Sequence, residues 1–531
     1  MRLKHLTIAN CSRVSDIDIE VRDNLVLIGP NGSGKSTVLL CLDMLLGANG
    51  QRLHDMLTPG FIRDASRPMT VKAVFADLSE DERSTFAGAF GAGNNRTLSV
   101  KLEANLDGSR VTVEKSFPDG PSSKSPTEVQ VAAFGWSVIQ ERPATCDVRQ
   151  WQESAAVDAS SRLDFEATEA SANEIISQME AELSQSSSSD AARRNLLDQL
   201  AQTLPFSFEN NDLQCSPKAT AGENVIGDTQ GTSQRISHMR LANEHSDGMR
   251  ALFTKSVYEL VHSGVNVLAI DEPEAHLHPS SQRSLAKMLR AGSCQKILVT
   301  HSPTIAGSFE PDEIVVIGKD GCAVQPEANF LEGESGMMAR WWIGKQLEPL
   351  TASSVIAVEG PSDRIIVNKV ASAIGFDLDR HDVVIVETSG CGDMKVVESI
   401  FGSGGFEIPL FELVDQDAAD DAARRLGIDE ADLEARNMFV SARDLEDEYV
   451  RAIGARRLWD KFKATKTFST YVLENCPTGR DGYPTEADLA QFIREKSKRK
   501  IPAALVAANL IDETNALRVE SVARLLEAVN A

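Results

Sequence analysis

The run Gly29-Pro-Asn-Gly-Ser-Gly-Lys-Ser36 sets glycines at short intervals ahead of a lysine and a hydroxyl, and it fits G-x-x-x-x-G-K-[ST]. An apolar segment, 24–28, precedes it and a helical run, 37–46, follows. In that setting the glycines let backbone N–H groups close around phosphate oxygens, and the helix N-terminus adds its positive dipole end. Gly29, Asn31, Gly32, Gly34 and Thr37 form the expected cradle. Lys35 is placed to reach the β and γ phosphates of ATP, and Ser36 to ligate Mg²⁺.

A second set of residues complements the first. Val265-Asn-Val-Leu-Ala-Ile-Asp-Glu272 is an apolar strand ending in two carboxylates, followed by Pro273-Glu-Ala-His-Leu-His-Pro279. Asp271 suits coordination of the nucleotide's Mg²⁺, directly or through water, and Glu272 suits polarisation of an attacking water. Ile297-Leu-Val-Thr-His301 puts a histidine at a strand's end, where it can sense a γ-phosphate. Upstream, Ser246-Asp-Gly-Met-Arg250 opens a helix just before the acidic strand and resembles the signature motif of ABC-type ATPases. In those ATPases the serine and glycine, here Ser246 and Gly248, contact nucleotide bound by a second subunit; Met249 and Arg250 depart from the commoner residues. Gln140 is the candidate for a glutamine loop.

A third set lies toward the C-terminus. Ser354-Val-Ile-Ala-Val-Glu-Gly-Pro-Ser-Asp363 is a strand closing on Glu359, with Asp363 in the helix that follows. Leu410-Phe-Glu-Leu-Val-Asp-Gln-Asp417 ends in Asp415 and Asp417. Carboxylates gathered this way at the ends of parallel strands make a hard-oxygen site for Mg²⁺ or Mn²⁺. Ser441-Ala-Arg-Asp-Leu-Glu-Asp-Glu448 adds Glu446, with Asp444, Asp447 and Glu448 as alternatives. The basic run Arg494-Glu-Lys-Ser-Lys-Arg-Lys500 is either a solvated helix face or a phosphate contact, with Lys500 or Lys498 steadying developing charge.

These residues need strands that end together. Residues 2–10 alternate as a strand, Ile17 and Ile19 begin another, and 68–78 and 97–103 alternate as antiparallel neighbours. The stretch 106–128 reads as turns and loops. Helical periodicity over 160–204 (Ile176, Met179, Leu183; Leu196, Leu197, Leu200, Leu204) predicts a helical hairpin, either core-packing or a dimerisation arm. Residues 205–235 read as a polar loop. Apolar runs alternating with helical stretches over 262–318 and again from 354 predict two parallel α/β sheets, separated by irregular sequence around 325–350. The expected domains are 1–159 and 236–350 for the two parts of an ATPase, 160–235 for its helical insertion, and 351–531 for a second α/β domain.

Composition narrows the partners. The 531 residues carry 54 Lys+Arg against 78 Asp+Glu, a net charge of −24. Bulk charge of that sign does not draw a polyanion, so nucleic-acid contact requires a local basic patch or cations held by carboxylates. No apolar run is long enough to span a membrane, and no signal-like N-terminus is present; the eight scattered cysteines argue for a cytoplasmic, zinc-free protein.

Glu359-Gly-x-x-Asp363, Asp415-x-Asp417 and Leu445-Glu446 resemble a Toprim domain. An ABC-type P-loop ATPase head fused upstream of one, with Glu272-Pro-Glu-Ala-His-Leu-His-Pro279, resembles the OLD (overcoming lysogenization defect) family of ATP-dependent endonucleases, to which Gabija nucleases also belong. The resemblance implies an α/β fold in which the head, with its helical insertion, is followed by a Toprim domain with a mainly parallel sheet. It implies a homodimer or dimer of dimers that cuts or nicks DNA with two metal ions. Glu359, Asp415 and Asp417 would hold one ion, while Asp363 and Glu446 would help with the other. It further implies anti-phage defence, alone or with a helicase or retron partner. The rival reading is an SMC- or RecF-like DNA-repair ATPase whose Toprim domain binds DNA without cutting. A topoisomerase is disfavoured, since the four tyrosines suggest no DNA-gripping nucleophile domain.

Overall fold

The computed structural model describes residues 1–48, 50–90, 96–108, 110–120, 125–140, 213–214, 240–241, 265–275, 277–292, 294–331, 333–388 and 391–530. They fall into two compact units. The first is Met1–Ala323 with Ile343–Lys345, and the second is Val324–Trp342 with Gln346–Ala531. The expected helical hairpin and the signature motif lie outside the described residues.

The first unit opens with β1 (Arg2–Ala9), β2 (Ile17–Glu20) and β3 (Leu25–Ile28). After them come α1 (Lys35–Leu46), β4 (Met69–Ala76), β5 (Leu98–Asp107), β6 (Arg110–Ser116) and β7 (Trp136–Gln140). A two-residue pair, β8 (Leu213–Gln214) and β9 (Arg240–Leu241), precedes β10 (Val267–Asp271). The unit ends with α2 (Pro279–Ala291), β11 (Gln295–Val299), β12 (Ile314–Ile317) and β13 (Ala323–Val324). Strands β2-β1-β4-β5-β6 form an antiparallel sheet. The other sheet has the order β13-β12-β3-β11-β10-β7, with parallel pairing from β12 through β7. Leu39, Leu42 and Leu45 of α1 are buried in a core shared with Leu3, Phe75 and Leu102.

The expectation of turns and loops over 106–128 fails at β6, which pairs with β5 over Arg110–Ser116. As an edge strand it buries only Lys115 fully, so its alternation is between half-exposed Val111 and Val113 and polar neighbours, which disguises it. The irregular reading of 325–350 fails too, because α3 (Gly333–Ile343) lies there. Its glycine-rich start and the mixture of buried Ala339, Trp342 and Ile343 with exposed Met337 and Trp341 give no clean helical stripe in sequence.

In the second unit, β14 (Ser354–Val358), α4 (Pro361–Ala373), β15 (Val383–Glu387), α5 (Cys391–Phe401) and β16 (Leu410–Val414) alternate, then α6 (Gln416–Leu426) and β17 (Met438–Val440). A helical tail follows: α7 (Leu445–Ile453), α8 (Ala455–Thr465), α9 (Glu486–Arg494), α10 (Ser497–Ala508) and α11 (Glu520–Val529). The sheet, ordered β15-β14-β16-β17, is parallel throughout. Helix α10 packs on α4, and α11 lies against β16 and β17. The strands are near-continuous apolar runs because helices cover this sheet, as parallel sheets require.

Candidate functional sites at two sheet ends

In the first unit, β3, β11 and β10 end side by side, with Val299 registered against Leu27 on one side and Asp271 on the other. The P-loop leaves β3, the acidic pair leaves β10 and His301 leaves β11, so parallel pairing alone gathers the three motifs. Gln140 ends β7 opposite Asp271, at the same edge.

Two P-loop glycines are sterically required. A Cβ at Gly29, where φ is +151°, would meet the Ile317 carbonyl oxygen at 2.2 Å, and at Gly34, where φ is +106°, the Arg13 carbonyl oxygen at 2.6 Å. Helix α1 has no side-chain cap, which leaves its first N–H groups to a ligand. The buried Lys35 Nζ donates to the carbonyls of Gly29 at 2.9 Å and Pro30 at 2.8 Å, spanning the loop from within. Burial lowers the Lys35 pKa, against the attraction of Asp271, Glu272 and Glu274.

Burial raises the Asp271 pKa, with Glu272 and Glu274 adding to the rise and the Ser36 hydroxyl and Lys35 opposing it. Its Oδ1 is buried without a hydrogen-bond partner. An orphaned carboxylate oxygen beside a serine hydroxyl has the donor chemistry of a Mg²⁺ site, so Ser36 and Asp271 fit that ion. Glu272 is held at φ +49°, a conformation uncommon for a residue with a Cβ. The His301 pKa is lowered by burial and by Lys35, which favours the neutral imidazole.

Glu274, in the run that follows the acidic pair, has no role that its position in the sequence reveals. Its Oε1 accepts from the His301 N–H at 2.6 Å and its Oε2 from the Thr300 hydroxyl at 2.7 Å. It therefore fixes the end of β11 to the turn after β10. The only sequence signal was a carboxylate two residues beyond the acidic pair.

In the second unit Glu359 follows β14, Asp415 follows β16 and the turn after β17 leads to Glu446. Asp363 lies in the first turn of α4, where its Oδ2 accepts from the Gly360 N–H at 2.9 Å and its Oδ1 from the Ser362 hydroxyl at 3.2 Å. The Asp415 backbone N–H offsets part of the rise in the Glu359 pKa, and the Asp415 Oδ1 accepts from the Leu445 N–H at 3.2 Å. Glu446 is 1% exposed, and Lys500 Nζ stands 3.2 Å from its Oε1. Asp417, in the first turn of α6, is exposed and faces Glu359 electrostatically.

The carboxylates crowd one another. Burial, Glu359, Glu446 and Asp363 push the Asp415 pKa up to about 8, and burial and Glu446 push that of Asp363 up to about 6. Glu359 is raised mainly by burial. Burial works against the charge on Lys500, but Glu446, Asp415 and Asp363 outweigh it and raise its pKa. Among the described residues no three such side chains stand close enough to enclose an ion as they are. Each is turned to an internal partner: Asp363 to Gly360, Asp415 to Leu445 and Glu446 to Lys500. The donor chemistry, mutually repelling carboxylates around one lysine, nevertheless fits a divalent cation.

The alternatives to Glu446 are engaged elsewhere. Asp444 caps α7 by accepting from the Asp447 N–H at 2.8 Å and pairs with Arg494. Asp447 pairs with Arg451 at 3.0 Å. Glu448 is buried, accepting from the N–H groups of Ala442 at 2.8 Å and Ser521 at 3.0 Å. The basic run likewise divides. Arg499 lies over the Phe492 ring at 4.1 Å and donates to the Phe492 carbonyl, Lys496 and Lys498 are exposed, and Lys500 alone pairs with Glu446.

Residues 25–307, more than half the chain, match the family model "AAA domain, putative AbiEii toxin, Type IV TA system". Residues 350–417 match "Overcoming lysogenization defect protein-like, TOPRIM domain". The chain is 23% identical to the OLD nuclease of Thermus scotoductus over 464 residues, 80% of this chain and 84% of that one. It is 26% identical to endonuclease GajA of Bacillus cereus over 152 residues, 27% of this chain and 26% of that one. The C-terminal region of the Burkholderia pseudomallei OLD protein aligns with a TM-score of 0.27 at 20% identity, covering 34% of this chain and 97% of that structure. Because the AAA-domain model matches more than half of its length, the chain belongs to that AAA-domain family, and it carries an OLD-like TOPRIM domain after it.

Proposed function

We propose that this protein is an ATP-binding and ATP-hydrolysing DNA endonuclease that depends on divalent metal. On the same reading it works in the bacterial cytoplasm in anti-phage defence, as a homodimer or dimer of dimers, alone or with a helicase or retron partner. The observation that carries the reading is the convergence of Glu359, Asp363, Asp415 and Glu446 around Lys500 at the carboxyl ends of three parallel strands. The names of the OLD nuclease and the GajA endonuclease support it.

In the ATPase, Gly29, Asn31, Gly32, Gly34 and Thr37 bind phosphate oxygens, and Lys35 turns from the loop carbonyls to the β and γ phosphates. Ser36 and Asp271 would hold Mg²⁺. Glu272 orients the attacking water. His301, kept largely neutral, meets the γ-phosphate, while Glu274 fixes its backbone. Ser246 and Gly248 complete the site from a second subunit.

In the nuclease, Glu359, Asp363, Asp415, Asp417 and Glu446 would hold Mg²⁺ or Mn²⁺, most simply two ions, which supply Lewis acidity and an activated water. Lys500 donates to the scissile phosphate as negative charge develops on it. The pairing of Lys500 with Glu446 keeps the ammonium charged and aimed into the site.

The test is incubation of purified protein with supercoiled plasmid, omitting Mg²⁺, Mn²⁺ and ATP in turn. Metal-dependent nicked or linear product that disappears in Asp415→Asn is the expected result. Persistent cutting by that variant would overturn the site assignment, and DNA binding without any cutting would favour the clamp-like repair ATPase.

A further inference from the structure

Strand β17 is an edge of the TOPRIM sheet, and the turn leaving it contains an arginine in an unusual state. Arg443 has φ +85°, in the left-handed region that favours glycine. The turn is tied to the loop after β16. The Arg443 carbonyl accepts from the Gln416 N–H at 3.2 Å, and the Leu445 N–H reaches Asp415 at 3.2 Å. Those ties use backbone atoms of the turn, and glycine would adopt the conformation more cheaply. They give no reason for an arginine.

The side chain supplies one. Arg443 is exposed, and among the described residues its guanidinium makes no hydrogen bond or ion pair, although the chain carries a net charge of −24. A second arginine, Arg494, lies within reach of its charge: burial first and then Arg443 lower the Arg494 pKa. Arg494 spends Nη1 on Asp444, the residue next to Arg443, while its Nη2 is buried without a partner. Two like charges in one neighbourhood, one tied to Asp444 with a spare donor and one exposed on the next residue of the turn, are eased by an anion that both can face. Both stand beside Asp415, at the sheet end that carries the carboxylates.

We propose that Arg443 and Arg494 form a seat for a DNA backbone phosphate flanking the one that is cut, so that the edge of the TOPRIM sheet sets the strand's position over the carboxylates. The seat rests on the nuclease reading for its purpose, but it concerns binding, and binding is measured separately. A strained arginine here buys a fixed direction for its side chain, since the turn is locked to Gln416 and Asp415.

The experiment uses the full chain and a short fluorescent duplex, with Ca²⁺ in place of the active metal, over a salt series. Arg443→Gly keeps the turn's conformation and removes the charge, while Arg443→Lys keeps the charge. We expect Arg443→Gly to bind about tenfold more weakly and to lower the slope of log affinity against log salt by about one. Its melting temperature should equal or exceed the wild type's, since glycine relieves the backbone. Arg443→Lys should restore the slope but only part of the affinity. Wild-type affinity and slope in Arg443→Gly would overturn the seat, as would absence of DNA binding by the wild type. If the wild type binds DNA and shows the Arg443 dependence but never cuts plasmid, the seat stands and the nuclease reading fails. If plasmid is cut with unchanged KM by Arg443→Gly, the nuclease reading stands and the seat fails.

Discussion

Asp415→Asn should make the TOPRIM unit more stable while ending its chemistry. In the protein without bound cation the Asp415 pKa rises from 3.8 to about 8, through burial and then through Glu359, Glu446 and Asp363. Between those two values the folded chain holds a proton that the unfolded chain has released. Stability therefore falls as pH rises through this window, and the full cost is present above pH 8. At about 1.4 kcal/mol for each tenfold in proton affinity, the ceiling is about 6 kcal/mol. The side chain is not fully enclosed and water screens it, so about 2 kcal/mol is the expected realised cost. Asparagine does not titrate, and its Oδ1 can still accept from Leu445. The gain should be nil near pH 4 and reach roughly 5 °C in melting temperature at pH 8.5. The assay is thermal unfolding in EDTA at pH 5.5, 7.0 and 8.5, repeated with Mg²⁺ or Mn²⁺. The wild type should gain stability from metal, and the variant much less. A stability difference that does not change with pH, or a less stable variant at pH 8.5, would refute the claim that crowded charge at Asp415 is what the metal relieves.

Lys35→Ala should cut ATP turnover at least 100-fold yet leave the metal-induced melting shift unchanged, as phosphate release and calorimetry would show. Glu274→Gln should lower ATP turnover about tenfold by loosening Thr300 and His301, with nucleotide affinity less affected, separable by steady-state kinetics and nucleotide titration. Glu446→Gln should abolish cutting at little cost in stability, whereas Glu448→Gln should lose about 2 kcal/mol through Ser521 and Ala442 and still respond to metal; denaturant melts and plasmid assays distinguish them. Mixing His301→Ala with Ser246→Ala under subunit exchange should recover ATP turnover that neither variant has alone, and failure despite verified exchange would show that the two residues do not serve one shared site.

Much of the candidate nucleotide site is legible because its groups are neighbours in sequence. Glycines, lysine and serine from 29 to 36 need only the strand before them and the helix after them. Asp271, Glu272 and His301 could be singled out as candidates because each follows an apolar run that could only be a buried strand. What the sequence left open was decided by helix rotation. Four carboxylates between 444 and 448 were equivalent in one dimension. In the fold α7 turns Glu446 to Lys500, Glu448 to Ser521, Asp444 to Arg494 and Asp447 to Arg451.

The basic run at 494–500 makes the same point. On paper it is one patch of five charges. In space a helix break divides it, with Arg494 ending α9 and Lys500 lying in the first turn of α10, and the charges between them go to solvent or to the Phe492 ring. The sequence alone determined which chemistries were on offer, since phosphate-binding loops, acidic strand ends and parallel α/β alternation are properties of local order and spacing. Only the tertiary structure decided which member of each cluster faces the sheet end, and which contacts Glu274, Arg443 and Arg494 make. Those contacts join strand ends far apart in the chain, and one of them rests on a positive φ, neither of which residue type or periodicity encodes.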